Sequence, residues 1–434
     1  MKLRPYQSEA VGFVLAELAA PAPEAGLVVL PCGLGKTVIF AHLCKTLVGA
    51  GWHPLVLVNR NDLVGQTVRK LWAADPSIPV GVIQGKRNEI YGTGIVVASV
   101  QTISQPKRLA AIPPARFNVL FPDEAQYSAA PSWQSVFAHF SHARMVGFTA
   151  TPSRSDRLGL GDTWRKVLYQ RDIAYGVENG YLSPPEGVRS NIAGFDLSGV
   201  KRSHGDYAEG GLADALTAAH AAEQVAEAYL REAAGPDGLP RRGILFAPTV
   251  ASAHEFAEAF IAAGITAEVI VAQTTRAERD AAYARVTAGT TRVLCSVGVL
   301  AVGFDLPCVE VAVMARPTKS NALYTQMAGR VFRLSPETGK ESCLIMDVVG
   351  VSGLGLASFV DLKATSPIPE PEVALDDFDE DKGPSHPVEK VTIHGSIDLR
   401  PIDPMTGRAL GQVAKRAGWA REWLTTPGGV PFLP

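Results

Sequence analysis

Two long stretches of the chain repeat one pattern: a short, continuously apolar run, a polar or glycine-rich turn, then a segment with apolar residues at helical spacing. In the first stretch the apolar runs are LVVL, PLVLV, GIVVASV, FNVLF and RMVGFTA, separated by segments such as KTVIFAHLCKTLVGAG. In the second they are GILFAP, AEVIVA, TRVLCSV, VEVAVMA and SCLIMDV, with AHEFAEAFIAAG and RAERDAAYARVTAG as the clearest helices. Strands that are apolar on both faces and alternate with helices predict mostly parallel sheets covered by helices. The expected fold class is therefore α/β, with domains over residues 1–180 and 181–360, an acidic proline-rich linker over 361–390 and a small extension over 391–434. Two such sheets in series leave a cleft, and ligands of these folds sit at the carboxyl ends of the strands.

At 434 residues and 47% hydrophobic, the chain is long enough for two or three separate cores. The five cysteines show neither a C-x-x-C pair nor a histidine cluster at metal-ligand spacing, which points away from zinc and toward a reducing cytoplasm. Glu9 and Glu17 interrupt the apolar character of the first residues, so no signal peptide is read there, and no apolar run approaches the roughly 20 residues of a membrane span. The formal net charge of −2 is uneven: seven acids and one lysine between Glu370 and Lys382 contribute −6 and leave +4 for the rest. Any phosphate-binding surface must then be a local groove, and the acidic stretch reads as a solvated tether.

The first chemical signal is LPCGLGKT, Leu30 to Thr37, between a strand-like run and an apolar helix. A phosphate loop needs backbone N–H groups, a helix N-terminus, a mobile lysine and a hydroxyl for magnesium. Gly33, Leu34, Gly35, Lys36 and Thr37 can supply them, although Leu30 stands where the usual pattern begins with glycine. A glycine-rich strand-to-helix turn without a ligand is the plainer alternative. A second signal, VLFPDEAQ, ends an apolar run in Asp123 and Glu124. Asp123 can hold magnesium while Glu124 orients the attacking water, and helix capping is the alternative use of such acids. A third is QMAGRVFR, in which Arg330 and Arg333 are three apart and, on a helix, would share a face toward the cleft. Structural ion pairing would use the same residues. In LAVGFDLP, Gly303 and Asp305 fall in a loop where Asp305 could meet a ribose or cap a helix.

The ordered set LRPYQ, LPCGLGKT, VNRNDLVGQ, VASVQT, PDEAQ, FTATP, SVGVLAVGFD and QMAGRVFR resembles the motif series of superfamily 2 DEAD/DEAH-like helicases over residues 3 to about 350. TATPSRSDRLGLGD and DLSGVKRSHGDY look more narrowly like the RadD-like bacterial and phage DNA helicase branch. The resemblance implies two RecA-like domains that close on ATP and Mg2+ and move along a nucleic-acid strand, DNA by preference, as a monomer with partners in repair, recombination or defence. It implies that Arg4 and Gln7 recognise adenine with Tyr6 beside it, and that Lys36 and Thr37 hold phosphates and magnesium. Glu124 would position water, Arg330 and Arg333 would be fingers, and Gln126 with Thr149 and Thr151 would couple nucleotide to strand. Arg60, Ser99, Gln101, Thr102, Arg154, Thr249 and Ser296 match positions that contact the strand backbone. Gln126 and Gln326 stand where histidine is frequent, and both can still donate and accept hydrogen bonds. Cys32 stands for a common threonine, and no cysteine-rich C-terminal module follows.

The tail reads as a strand and turn, VTIHGSIDLRPIDP, then a short basic helix carrying Lys415, Arg416, Trp419, Arg421 and Trp423, as if a small β module were truncated. Those tryptophans could stack on bases or fill a core. Beside a translocating motor, the sequence leaves open a nucleotide-gated DNA-binding module and the motor subunit of a restriction or phage-defence complex.

Overall fold

The computed structural model describes residues 2–59, 61–90, 94–150, 163–203, 206–298, 306–318, 320–349 and 398–401. The first eight strands, β1 (Gly26–Val29), β2 (Pro54–Val58), β3 (Val80–Gln84), β4 (Arg87–Asn88), β5 (Ile95–Ser99), β6 (Val119–Pro122), β7 (Arg144–Thr149) and β8 (Lys166–Gln170), form one sheet. Its order is β4-β3-β5-β2-β6-β7-β1-β8, and every pairing is parallel except that of β3 with β4. The apolar runs become its central strands because both faces are covered: each residue of β1, β2, β5 and β6 is buried. Helices α1 (Pro5–Ala19), α2 (Lys36–Gly49) and α3 (Asn61–Ala74) contribute to that cover.

The second sheet comprises β9 (Pro185–Asn191), β12 (Gly243–Phe246), β13 (Ala267–Ile270), β14 (Val293–Ser296), β15 (Val311–Met314), β16 (Cys343–Val349) and β17 (Asp398–Pro401). A separate hairpin joins β10 (Arg202–Ser203) to β11 (Asp206–Tyr207). The sheet order is β13-β14-β12-β15-β16-β9-β17, parallel throughout save for the antiparallel edge pair of β17 on β9. The edge strand lies within the tail segment read as strand and turn, while Lys415, Arg416, Trp419, Arg421 and Trp423 lie outside the described residues.

The chain passes between the sheets over residues 171–184, and this connector is packed rather than loose. One buried apolar cluster runs from Tyr6, Leu30 and Leu34 through Leu182 to Met327, Ala328 and Phe332. Carbon at the wrong place would break that contact: a Cβ on Gly33 would lie 2.7 Å from the Leu182 side chain, and one on Gly329 would lie 2.6 Å from that of Cys32. The two halves thus meet through glycines, Gly33 in the turn after β1 and Gly329 at the end of the helix Asn321–Ala328.

Candidate functional site

Leu30 continues the line of β1: its N–H donates to the Thr149 carbonyl at 2.9 Å, and its side chain is fully buried. A bulky residue is tolerated there because that position belongs to the sheet and not to the turn. The turn itself is made by Gly33 and Gly35, whose φ angles of 94° and 76° are in the left-handed region that glycine enters without strain. Gly35 then caps α2, with Lys36 and Thr37 in its first turn. Lys36 folds back so that Nζ donates to the Leu30 carbonyl at 2.9 Å.

The LRPYQ residues support this loop from behind. The Tyr6 hydroxyl donates to the Leu34 carbonyl at 2.7 Å, and Gln7 Nε2 donates to the same oxygen at 3.2 Å. Gln7 Oε1 accepts from the Arg4 N–H at 3.0 Å. Tyr6 is fully buried against Tyr175 and Tyr181, so its ring braces the loop instead of offering an open stacking face. Arg4 lies over the Tyr181 ring, 4.9 Å from its centre.

Asp123 leaves β6 still tied to the sheet, with its N–H donating to the Leu57 carbonyl at 2.8 Å. Glu124 sits at φ 56°, a conformation that costs a non-glycine residue of order 1–3 kcal/mol and is held by its surroundings. Its N–H donates to Asp123 Oδ1 at 3.0 Å, and its Oε2 accepts from Gln126 Nε2 at 2.8 Å. Gln126 Oε1 in turn accepts from the Thr149 hydroxyl at 2.7 Å. Glu124, Gln126 and Thr149 are all buried, so this relay runs from the acidic pair to the end of β7 without solvent.

Across the cleft stand Arg330 and Arg333. The helix Asn321–Ala328 ends before them, so they occupy the following turn and do not share a helical face as expected. They nonetheless reach one cleft together with Lys36, Thr37, Asp123 and Glu124. Arg330 Nε donates to the carbonyl of the buried Gln326 at 3.3 Å. Burial lowers the Arg333 pKa below the usual arginine range. Burial also raises Asp123 above the ordinary carboxylate range, with Glu124 adding to the rise and Lys36 opposing it.

The spacing of α3 hid one more pair. Gln66 and Lys70 are four apart on a helix and both line the cleft. Lys70 is pulled down to about 8, first by burial and then by the charges of Arg333, Lys36 and Arg330, with Asp123 opposing. The signal was in VNRNDLVGQTVRK, but a lysine on an amphipathic helix is ordinarily a solvent-facing residue. Among the described residues no group of three or more His, Cys, Asp or Glu is suited to hold a metal. One carboxylate, Asp123, and one hydroxyl, Thr37, lining one cleft beside the glycine turn are a donor set that would suit magnesium, which keeps waters and shares phosphate oxygens.

The strand-contact candidates separate into two groups. Ser99, Thr102 and Ser296 are buried; Ser99 Oγ donates to Gln101 Oε1 at 2.7 Å, and Thr102 Oγ1 accepts from the Gly85 N–H at 3.3 Å. The Ser296 hydroxyl is buried without a hydrogen-bond partner. Gln101 is exposed, and its Nε2 donates to the Asn59 carbonyl. Thr249 caps the helix Val250–Ala262 by accepting from the Ser252 N–H at 3.1 Å. Arg60, Thr151, Arg154, Gly303 and Asp305, and the TATPSRSDRLGLGD segment beyond Ala150, lie outside the described residues.

Residues 1–154 match the family described as the res subunit of type III restriction enzymes, and residues 230–335 match the helicase conserved C-terminal domain. IRC3 of Saccharomyces cerevisiae, which carries an ATP-dependent helicase name, is 29% identical over 370 residues, 82% of this chain and 52% of that protein. The 51.5 kDa protein of a Lactococcus phage is 27% identical over 320 residues, 74% of this chain and 64% of its own length. The chain thus spans between half and two thirds of the length of these two curated relatives. In fold, it resembles the ATP-dependent Type ISP restriction-modification enzyme LlaBIII bound to DNA, with a TM-score of 0.61 at 17% identity over 81% of this chain and 28% of the other. Saccharomyces cerevisiae Dbp5 bound to RNA and ADP BeF3 has a TM-score of 0.54 at 16% identity over 81% of this chain and 85% of its own.

Proposed function

We propose that this chain, a superfamily 2 DEAD/DEAH-like helicase built on two RecA-like domains, hydrolyses ATP in the cleft between its sheets and uses the closure of that cleft to move along DNA. The observation that carries the reading is the convergence of Lys36, Asp123 and Glu124 from the first sheet with Arg330 and Arg333 from the second. Lys36 would exchange the Leu30 carbonyl for phosphate oxygens. Thr37 and Asp123 would hold magnesium, which supplies charge neutralisation at the β- and γ-phosphates when bound. Glu124 accepts a proton or hydrogen bond from the attacking water, and the two arginines meet the charge that develops on the transferred group. Arg4 and Gln7 border the adenine side; Gln7 also fixes Leu34, so adenine contact and loop geometry are linked through one amide.

Hydrolysis would become movement through the relay Glu124–Gln126–Thr149, which joins the water-positioning carboxylate to the end of β7. Domains over 1–180 and 181–360 would act as two rigid halves, with Gln101 and Thr249 as surface contacts, one from each half. The protein would act as a cytoplasmic monomer of the RadD-like branch. Service as the motor subunit of a restriction or defence complex is a second reading, supported by the match of residues 1–154 to a restriction-enzyme family. Measuring ATP turnover with single-stranded, duplex and forked DNA and with RNA tests the proposal; stimulation by RNA alone would remove DNA as the track.

A further inference from the structure

The turn that carries Arg333 is not held by helix geometry, since the helix before it ends at Ala328. Its three successive carbonyls, those of Val331, Phe332 and Arg333, are each taken by a donor from elsewhere in the chain. Lys340 Nζ donates to the Val331 carbonyl at 2.6 Å, and also to those of Val309 at 2.6 Å and Pro307 at 3.2 Å. The Ser183 N–H donates to the Phe332 carbonyl at 2.7 Å, and Ser183 Oγ donates to the Arg333 carbonyl at 3.1 Å.

Lys340 is 7% exposed and Ser183 fully buried, so no solvent competes for these bonds. An ammonium has three protons to give, and here three carbonyls receive them, which offsets the cost of burying the charge. Ser183 belongs to the connector between the sheets, and the preceding residue, Leu182, rests on the phosphate loop at Gly33. Two adjacent connector residues therefore touch the loop that would bind phosphate and the turn that would deliver the arginine.

We propose that Ser183 and Lys340 are positioning residues for Arg333: they fix the backbone of residues 331–333, and Leu182–Ser183 sets that turn in register with the phosphate loop. The inference rests on the proposed reading of Arg333 as a finger. A purely structural pair of bonds would change stability alone, whereas a positioning pair changes the chemical step through Arg333.

The test is a double-mutant cycle on the full chain, with single-turnover ATP hydrolysis as one readout and binding of a fluorescent non-hydrolysable ATP analogue as the other. Ser183→Ala should slow hydrolysis by about 2- to 10-fold, the range that one net hydrogen bond commands, with nucleotide affinity unchanged. In the Arg333→Ala background the same change should cost nothing further, because residues that act as a unit are not additive. Lys340→Met keeps the aliphatic volume and should show the same dependence on Arg333; if it does not fold, the Ser183 cycle decides alone. A wild-type rate in Ser183→Ala, or an equal loss in both backgrounds, overturns the inference. Full turnover in Arg333→Ala by itself would instead remove the finger assignment beneath it.

Discussion

Lys36 Nζ donates to the Leu30 carbonyl at 2.9 Å, so the residue that departs from the usual loop pattern is the one that holds the loop's lysine. Only the backbone of Leu30 is used for this, and its side chain is spent on the core. Lys36→Ala should then lower turnover by about 10²-fold or more, roughly 2.7 kcal/mol of barrier, while the fold persists. Steady-state ATPase beside a thermal melt checks both halves of that expectation, and undiminished turnover would exclude the loop as the phosphate site.

Lys70 changes what the loss of Lys36 means. A second ammonium lines the same cleft, so residual phosphate affinity in Lys36→Ala has an identifiable source. Lys70→Met should reduce the preference for ATP over ADP several-fold, on the order of the 0.5–1.5 kcal/mol of one hydrogen bond, and more if the contact is charge-assisted. The sign with pH follows from its lowered pKa: Lys70 is charged below about 8 and loses its proton above it. Wild type and variant should thus converge as pH rises past that value, which competition binding at pH 7 and pH 9 would reveal, pH 9 lying about one unit above the transition.

Glu124→Gln keeps the side-chain volume and leaves Asp123 in place. It should bind ATP with near-normal affinity and hydrolyse it slower by about 10²-fold or more, the scale for a positioned acid–base group. Weakened binding with a normal rate for the bound nucleotide would reverse the division of labour between the two acids.

Thr149→Val removes the hydroxyl that donates to Gln126 and leaves the acidic pair untouched. Basal hydrolysis should stay within about 3-fold of wild type, while stimulation by nucleic acid should fall by about 2- to 10-fold, the worth of one buried hydrogen bond. Equal loss of basal and stimulated rates would place Thr149 in folding and not in coupling.

Much of this was legible because apolar runs with both faces buried leave little choice: GILFAP, TRVLCSV and VEVAVMA become β12, β14 and β15. Two of the strands left unread are mixed in polarity. KVLYQ (β8) is half-buried at a sheet edge, and PEGVRSN (β9) lies between β16 and β17 although its composition alone resembles a loop. Backbone pairing supplied by neighbours, which a single sequence does not display, overrides propensity there. The same limit applies to the site. Lys36, Asp123 and Glu124 stand in recognisable strings, but Lys70, Ser183 and Lys340 matter through where the fold brings them. The three-residue spacing of Arg330 and Arg333 suggests a shared helical face, whereas the cleft gathers them through a turn.

The central claim is that hydrolysis in the cleft is coupled to a nucleic-acid track, and the most direct test is the ATP turnover of the full chain titrated with single-stranded DNA of several unrelated sequences. Saturable stimulation that is indifferent to sequence is expected, because the proposed contacts of Gln101 and Thr249, made by exchanging their bonds to Asn59 and Ser252, would go to the phosphate backbone and not to base edges. A modest salt dependence is also expected, with a slope of about 0.7 per neutralised phosphate on a single strand. Turnover that stays at its basal value with every DNA and RNA, alongside normal nucleotide binding, would contradict the motor and leave a nucleotide-gated binding protein.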